Sequence, residues 1–384
     1  MIFQRRLTKH LAELRKYFPI ISLTGPRQSG KTTLLRSHFN DFRYVNFELP
    51  RERLAFEEDP VGFLKTYNDY VIFDEAQHVP DLFSYLQVNV DEDRRPGRFI
   101  LSGSQDFLLR KSINQSLAGR VGIARLLPYD FEELRQNGEY PQDQLETIFN
   151  GFYPGRLKDQ LPPHLFYGSY LYSYVQRDVA GFINPSNLGL FNRFIEAVAG
   201  SVGQLTNYSN LATLVGVDVK TIQSWISILE QSYIIFRLPP YFKSISRRLV
   251  KSPKLYFYDT GLLCYLLGIR EPAELRSFHL YGNVFENLIV SDAFKSAYHS
   301  GDRPLYHFYR DRKGKEIDLL YETPAKKSLW EIKATETFHP RLIRPLNKIA
   351  DDVFPDSARH LIYGGADEMT LNSVRQVPWN KLKW

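Results

Sequence analysis

The sequence has 384 residues, 43% hydrophobic and 24% charged, which is ordinary for a soluble globular protein, with a high aromatic content of 14% and apolar mass for two or three domains. The single cysteine, Cys264, excludes an internal disulfide and makes a reducing, cytoplasmic setting the expectation. No run of about 18 apolar residues exists and the basic N-terminal stretch lacks an unbroken apolar segment, so neither a membrane span nor a secretory signal is expected. A net charge of +6 is compatible with nucleic acid as a partner, although 43 acidic residues dilute it.

Residues 5–17 read as an amphipathic helix with Leu7, Leu11 and Leu14 on one face. Ile20 to Leu23 is a short apolar strand, and Thr33 to His38 opens a helix. Between them Gly25, four further residues, then Gly30, Lys31 and Thr32 give the spacing of a phosphate-binding loop in its strand–loop–helix setting. Gly25 and Gly30 permit backbone conformations that a Cβ would block. The loop residues Gly25, Pro26, Arg27, Gln28, Ser29, Gly30, Lys31, Thr32 and Thr33, all but Pro26 carrying a backbone N–H, then form an anion nest at a helix N-terminus. In this reading Lys31 reaches the β/γ-phosphates and the Thr32 hydroxyl ligates Mg²⁺. A Gly-bearing turn that happens to carry Lys-Thr is the plain alternative.

Tyr44 to Phe47 and Tyr70 to Phe73 read as further strands, the latter followed by Asp74-Glu75. Asp74 is assigned to Mg²⁺, and Glu75 to orienting and deprotonating the attacking water. The alternative is that the two acids cap the next helix. Phe99 to Leu101 is a fourth strand, with Ser104 in the polar turn at its tip as a γ-phosphate sensor or an ordinary turn residue. Arg120 precedes a fifth strand, Val121 to Leu127; it is either an arginine finger acting across subunits, which would require a homo-oligomer, or a surface arginine. Strands alternating with helical patterns imply a parallel, doubly wound α/β sheet with its ligand at the strand carboxyl ends.

The segments GPRQSGKTTLL, VIFDEAQHVPDL, FILSGSQ and SLAGRV, in this order and at these spacings, resemble the AAA-type P-loop ATPases of prokaryotes. More narrowly, they resemble the subgroup joined to the C-terminal domain of unknown function 4143. That resemblance implies ATP as the nucleotide and hydrolysis as the reaction. The expected organisation is an ATPase domain over 1–135, a lid and connector over 136–190, a winged-helix unit over 191–250 and an α/β domain over 251–384.

The connector is Pro- and Tyr-rich, with a helix expected over Gly168 to Val179. In the third unit, Phe191 to Ala199 is a helix, Ser209 is read as the cap of a helix over Asn210 to Val215, and Val219 to Gln231 is a longer helix. Tyr233 to Leu238 follows as a strand, completing a winged-helix pattern. Lys220, Gln223 and Ser224 lie on the face that would enter a DNA major groove, and a spacer role stays open. Lys243, Arg247, Arg248, Lys251 and Lys254 form a basic run that either tracks a nucleic-acid backbone or is a solvated face.

In the last unit Tyr281 to Ser296 is a helix carrying Glu286, followed by strands Leu305 to Arg310, Glu316 to Tyr321 and Ser328 to Ala334. Glu331 and Lys333 project from one strand face. A turn centred on Pro324-Ala325 sets Asp318 opposite Glu331. This helix–strand–strand–strand cluster resembles the PD-(D/E)xK nuclease core, with Ile317 standing where the proline of that name would be. The resemblance implies Mg²⁺ on Asp318 and Glu331, with Glu286 joining, and Lys333 helping to activate water against a phosphodiester. A surface salt bridge and a nuclease fold kept only for binding remain alternatives. Two functions are therefore weighed. One is an ATPase coupled to a DNA-binding and DNA-cleaving C-terminal region. The other is a regulatory ATPase whose C-terminal half is a protein-interaction scaffold.

Overall fold

A computed structural model of the chain describes residues 3–103, 117–175, 179, 181–242 and 252–384. Helix α1, Leu7–Tyr17, buries Leu7, Leu11 and Leu14 along one stripe and carries Arg15 and Lys16 in its last turn, where cations suit the helix dipole. Strand β1, Ile20–Thr24, is buried at every position and runs into the phosphate loop and helix α2, Lys31–His38. Strands β2, Arg43–Asn46, and β3, Val71–Asp74, follow, then helix α3, Leu82–Glu92, and strands β4, Phe99–Gly103, and β5, Val121–Arg125.

The five strands form one parallel sheet in the order β2-β3-β4-β1-β5. Both faces are covered, so the strands read as continuous apolar runs rather than alternating ones. One face packs Phe47, Phe73, Phe99, Phe83 and Leu86, and the other packs Leu7, Leu11, Leu34 and Phe39 against Ile21, Ile72 and Ile100. Inserting β4 between β1 and β3 sets three strand tips side by side: Thr24 paired with Gly103, and Asp74 one residue beyond the Phe73–Leu101 pair. The chain order reverses at β1, the place where such sheets open a ligand crevice.

The sheet is followed by helix α4, Phe131–Gln136, whose capping box joins Asp130 and Glu133, and by helix α5, Pro154–Asp159. The helix expected over Gly168 to Val179 starts earlier, at Pro163, with the proline at its first position, and is described as far as Tyr174, residues 176–178 lying outside the described residues. Helices α6, Leu188–Ala199, α7, Tyr208–Val215, and α8, Val219–Gln231, lead to strand β6, Ile235–Leu238, which pairs antiparallel with β7, Lys254–Phe257. The α7 cap is Asn207 rather than Ser209: its side chain accepts from the Asn210 amide at 3.0 Å and starts the helix two residues early. Lys243, Arg247, Arg248 and Lys251 lie outside the described residues.

Helix α9, Tyr281–His299, then leads into a six-stranded mixed sheet. Its strands are β8, Tyr306–Arg310, β9, Glu316–Glu322, and β10, Lys327–Lys333, then β11, Ala358–Tyr363, β12, Met369–Leu371, and β13, Val374–Pro378. Spatial order is β12-β13-β11-β10-β9-β8, antiparallel through β8, β9 and β10 and parallel across β10, β11 and β13. Between β10 and β11, helix α10, Arg344–Val353, packs Leu346, Ile349 and Ala350 on one sheet face. The largest apolar cluster runs from Leu127 to Leu382, so the end of the first sheet, the helical middle and α9 share one core. No described helix is long and apolar enough to cross a membrane.

Candidate functional site

The phosphate loop is built as its spacing requires. A Cβ on Gly25 would lie 2.0 Å from the Leu126 carbonyl oxygen, so no side chain fits there. Gly30 has φ +89°, in the left-handed region glycine tolerates, and Gln28 takes φ +60° beside it. The chain thus folds tightly enough to set Gly30 immediately before α2. Lys31 is 6% exposed and its Nζ donates to the Gly25 and Pro26 carbonyls, both at 2.9 Å. The amine thereby lies across the mouth of the nest. The buried Ser29 hydroxyl has no hydrogen-bond partner, a polar atom left over in a cradle suited to an anion. Thr32 and Thr33 are exposed on the first turn of α2.

Asp74 is the hub opposite. Only 2% exposed, it accepts from the Thr32 hydroxyl at 2.7 Å and from the Tyr44 hydroxyl at 2.6 Å on Oδ2. The Ser102 hydroxyl and the Glu75 amide donate to Oδ1. Burial, reinforced by Asp74, pushes the Tyr44 phenol up, so Tyr44 stays a donor at neutral pH. Glu75 takes a left-handed backbone at φ +54° at the strand tip, and its carboxylate accepts from the Gln77 amide. Thr32 and Asp74 make an all-oxygen set, the kind that suits a hard cation such as Mg²⁺.

Ser104 lies outside the described residues. Arg120 precedes β5 at the amino edge of the sheet, where its carbonyl accepts from the Ile20 amide, while the phosphate loop leaves the carboxyl edge. Its guanidinium is committed to Asp91 of the same chain through two bonds of 2.7 Å.

The C-terminal residues do converge. The β9–β10 ladder pairs Leu320 with Leu329 and Leu319 with Trp330, the register of a turn centred between Pro324 and Ala325. It stops one residue short of Asp318 and Glu331, where Asp318 Oδ2 instead accepts from the Ile332 amide at 2.8 Å. Lys333 bridges the two acids, with Nζ 2.7 Å from Glu331 Oε1 and 3.2 Å from Asp318 Oδ2. Glu286 reaches the cluster from α9 but is held by Lys254 at 3.0 Å and by the Tyr256 hydroxyl. Lys254, read from sequence as part of a basic run that either tracks a nucleic-acid backbone or is a solvated face, is 3% exposed and also pairs with Glu316. The alternation of β7 turns it inward, where three strands and a helix meet.

Burial, together with the Asp318 charge, raises Glu331 to about 8, and Lys333 only partly offsets this. Burial likewise raises Glu286 to about 7, opposed by Lys254. The buried Glu331 Oε2 has no partner, a vacant carboxylate lone pair of the kind a divalent ion would take. Among the described residues, however, the only acid and histidine group whose ligand atoms all lie within 4.8 Å is Asp130, Glu133 and His299. Lys333 already occupies a cation position between Asp318 and Glu331, and Lys254 one between Glu286 and Glu316.

That Asp130–Glu133–His299 group escaped sequence reading. Glu133 accepts from Arg5 Nε at 3.0 Å, and His299 Nδ1 lies 3.0 Å from Asp130 and 3.2 Å from Glu133. The other ring nitrogen accepts from the Leu127 amide at 3.2 Å, which fixes the proton of the neutral ring on Nδ1. Burial opposes the charged imidazolium, and the two carboxylates pull its pKa upward. Arg5 also donates to Ser29 O in the phosphate loop at 2.8 Å and to Leu127 O at 2.6 Å. Arg6 reaches Asp130 at 3.0 Å and the hydroxyls of Ser296 and Ser300. The sole sequence signal was an Arg-Arg pair before an amphipathic helix.

The loop, the acid at the neighbouring strand tip and the parallel order of the sheet together define a P-loop nucleoside-triphosphatase domain. Residues 17–135 match an AAA domain, residues 141–273 the domain of unknown function DUF8612, and residues 281–382 the domain of unknown function DUF4143. An uncharacterized protein of Mycobacterium tuberculosis is 30% identical over 392 residues, which cover 100% of this chain and 85% of that one. The chain belongs to that family, in which an AAA-type ATPase domain is joined to DUF4143. An uncharacterized protein of Haemophilus influenzae is 21% identical over 78% of this chain and 80% of its own. A solved structure of a Walker-type ATPase of Pyrococcus abyssi is 15% identical, covers 69% of this chain and 96% of that chain, and has a TM-score of 0.46.

Proposed function

We propose that the protein is a Mg²⁺-dependent ATPase whose turnover is coupled to a C-terminal region that binds and cleaves nucleic acid. The observation that carries the first half is the hydrogen bond from Thr32, on the loop helix, to Asp74, on the adjacent strand tip. In this reading the amides of Ser29 to Thr33 receive the phosphates, and Lys31 exchanges its two carbonyl partners for phosphate oxygens. Thr32 and Asp74 hold Mg²⁺, which neutralises charge on the phosphates when bound. Glu75 orients and deprotonates the attacking water. A Mg²⁺-dependent ATPase assay with and without single- and double-stranded DNA tests the coupling; turnover that neither DNA form changes counts against it.

For the second half, the vacant Glu331 oxygen, with Asp318 alongside and Lys333 bridging, supports a divalent metal site. Asp318 and Glu331 would hold the ion, which supplies Lewis acidity toward a phosphodiester, and Lys333 would position the water. Helices α6 to α8 with the β6–β7 pair support a winged-helix reading, with Lys220, Gln223 and Ser224 exposed on α8. The lysines already set among the acids favour a second reading, a non-catalytic scaffold. Plasmid and Mg²⁺ separate the two: cleavage lost in Glu331→Ala supports the nuclease, and no cleavage by the unaltered protein supports the scaffold.

A further inference from the structure

On the mixed sheet, Leu320, Leu329, Leu361 and Val374 pack with α10. The alternate residues leave from the other face. There, beyond the last turn of α9, the sheet opens into a cavity of about 950 Å³. Rings line it in cross-strand rows. Tyr306 is paired with Tyr321, their centroids 5.5 Å apart. Trp330 is paired with His360, the two rings stacked at 5.5 Å and 20°. Trp330 and His360 are half-buried, so part of each ring is open to the cavity.

Cations surround these rings: Arg303, Lys326, Arg375, Lys381 and Lys383 line the cavity, against the acids Asp302 and Glu368. Glu368 is bonded to Arg375 at 3.0 Å, and the remaining lysines and Arg303 are exposed. The positive field registers on His360, which burial first, then Arg375 and Lys326, push down to about 4. Trp330 and Glu331 are neighbours on β10, so this cavity faces away from the carboxylate cluster and is a separate site.

We propose that this cavity binds a short run of unpaired nucleotides of a single-stranded nucleic acid, base faces against Trp330 and its neighbouring rings and phosphates on the basic rim. Rings that meet base faces and cations that follow a backbone are the two components of sequence-tolerant single-strand binding. A duplex hides its base faces and gains little from such rings. The volume lies at the top of the range for one drug-sized ligand, about 300–1,000 Å³, which leaves room for more than one base. This inference rests on the reading that the C-terminal half handles nucleic acid.

The test is fluorescence anisotropy of a labelled oligothymidylate of about 12 nucleotides on the full-length protein, with duplex and a mononucleotide as competitors. Binding should weaken steeply with salt. Trp330→Ala should weaken it by about ten- to a hundredfold, and Trp330→Phe should retain most of it. Because Trp330 is partly buried, the exposed pair Lys326→Glu with Arg303→Glu gives a second readout, a weaker affinity and a shallower salt slope. Wild-type affinity in all these variants, or a mononucleotide that binds as tightly as the oligomer, overturns the site. If duplex binds and the variants leave it unchanged while single strands do not bind, the cavity proposal falls and the nucleic-acid reading survives. No binding of either form sinks both, and ATP hydrolysis followed alongside reports on the N-terminal half separately.

Discussion

Lys31 shows how much one residue carries. Its amine already spans two loop carbonyls. Lys31→Ala should therefore leave the fold intact and lower ATP turnover by about a hundredfold or more; hydrolysis at the unaltered rate in a phosphate-release assay would refute the assignment. His360 gives a pH signature. Its ordinary value is 6.5 and the folded value is about 4. As pH falls below 6.5 the unfolded chain takes a proton that the folded one refuses until about 4, so stability drops across that window. Melting temperature measured from pH 7 to 4 should show that loss, and His360→Gln should flatten it. At this scale local motifs were legible. The loop, Asp74 and the Asp318–Glu331 register follow from short-range spacing. Lys254 was misread because its partners, Glu286 and Glu316, are 32 and 62 positions away in a chain whose fold had not been placed.

Among the elements, α9 joins most of what matters. Its first turns bring Glu286 to the carboxylate cluster, and its last residue, His299, enters the buried group with Asp130 and Glu133. A helix of 19 residues is rigid over its length of roughly 28 Å. Glu133→Ala leaves the buried Arg5 guanidinium without its carboxylate partner and His299 with Asp130 alone, and breaking one side of such a buried pair costs about 3–5 kcal/mol. The melting temperature should fall by several degrees, whereas Asp91→Ala, at the exposed Arg120 pair, should barely move it. The strands and helices read from the sequence exist, but α3, α4, α5, α10 and strands β11 to β13 were not read at all. Ends were less legible: Asn207 and Ser209 are both good caps, and only the helix they compete for decides between them. The buried group was illegible because Arg5, Glu133 and His299 are scattered across nearly 300 residues, and no local pattern marks a contact of that reach.

Across the whole molecule the chain divides by family domain but not by core. Leu127, Tyr129, Phe131 and Leu134, at the end of the AAA domain, belong to the same apolar cluster as α9 and the last residues of the chain. A fragment ending at residue 135 exposes that surface, so it should aggregate or melt non-cooperatively, while the full-length protein stays monodisperse in gel filtration. A soluble, cooperative fragment would show that the halves are independent. The parallel sheet was legible from alternation of strands and helices, and the shared core was not, since composition gives apolar mass without saying which segments pool it.

Arg5 gives this sharing a direction. Its guanidinium offers one N–H to the Ser29 carbonyl and another to Glu133, which grips His299 at the end of α9. Loop and clasp therefore hang on different N–H groups of one planar guanidinium. A nucleotide that repositions Ser29 is then expected to shift Arg5 and with it the hold on His299, and strain arriving from that half is expected to reach the triphosphate by the same route.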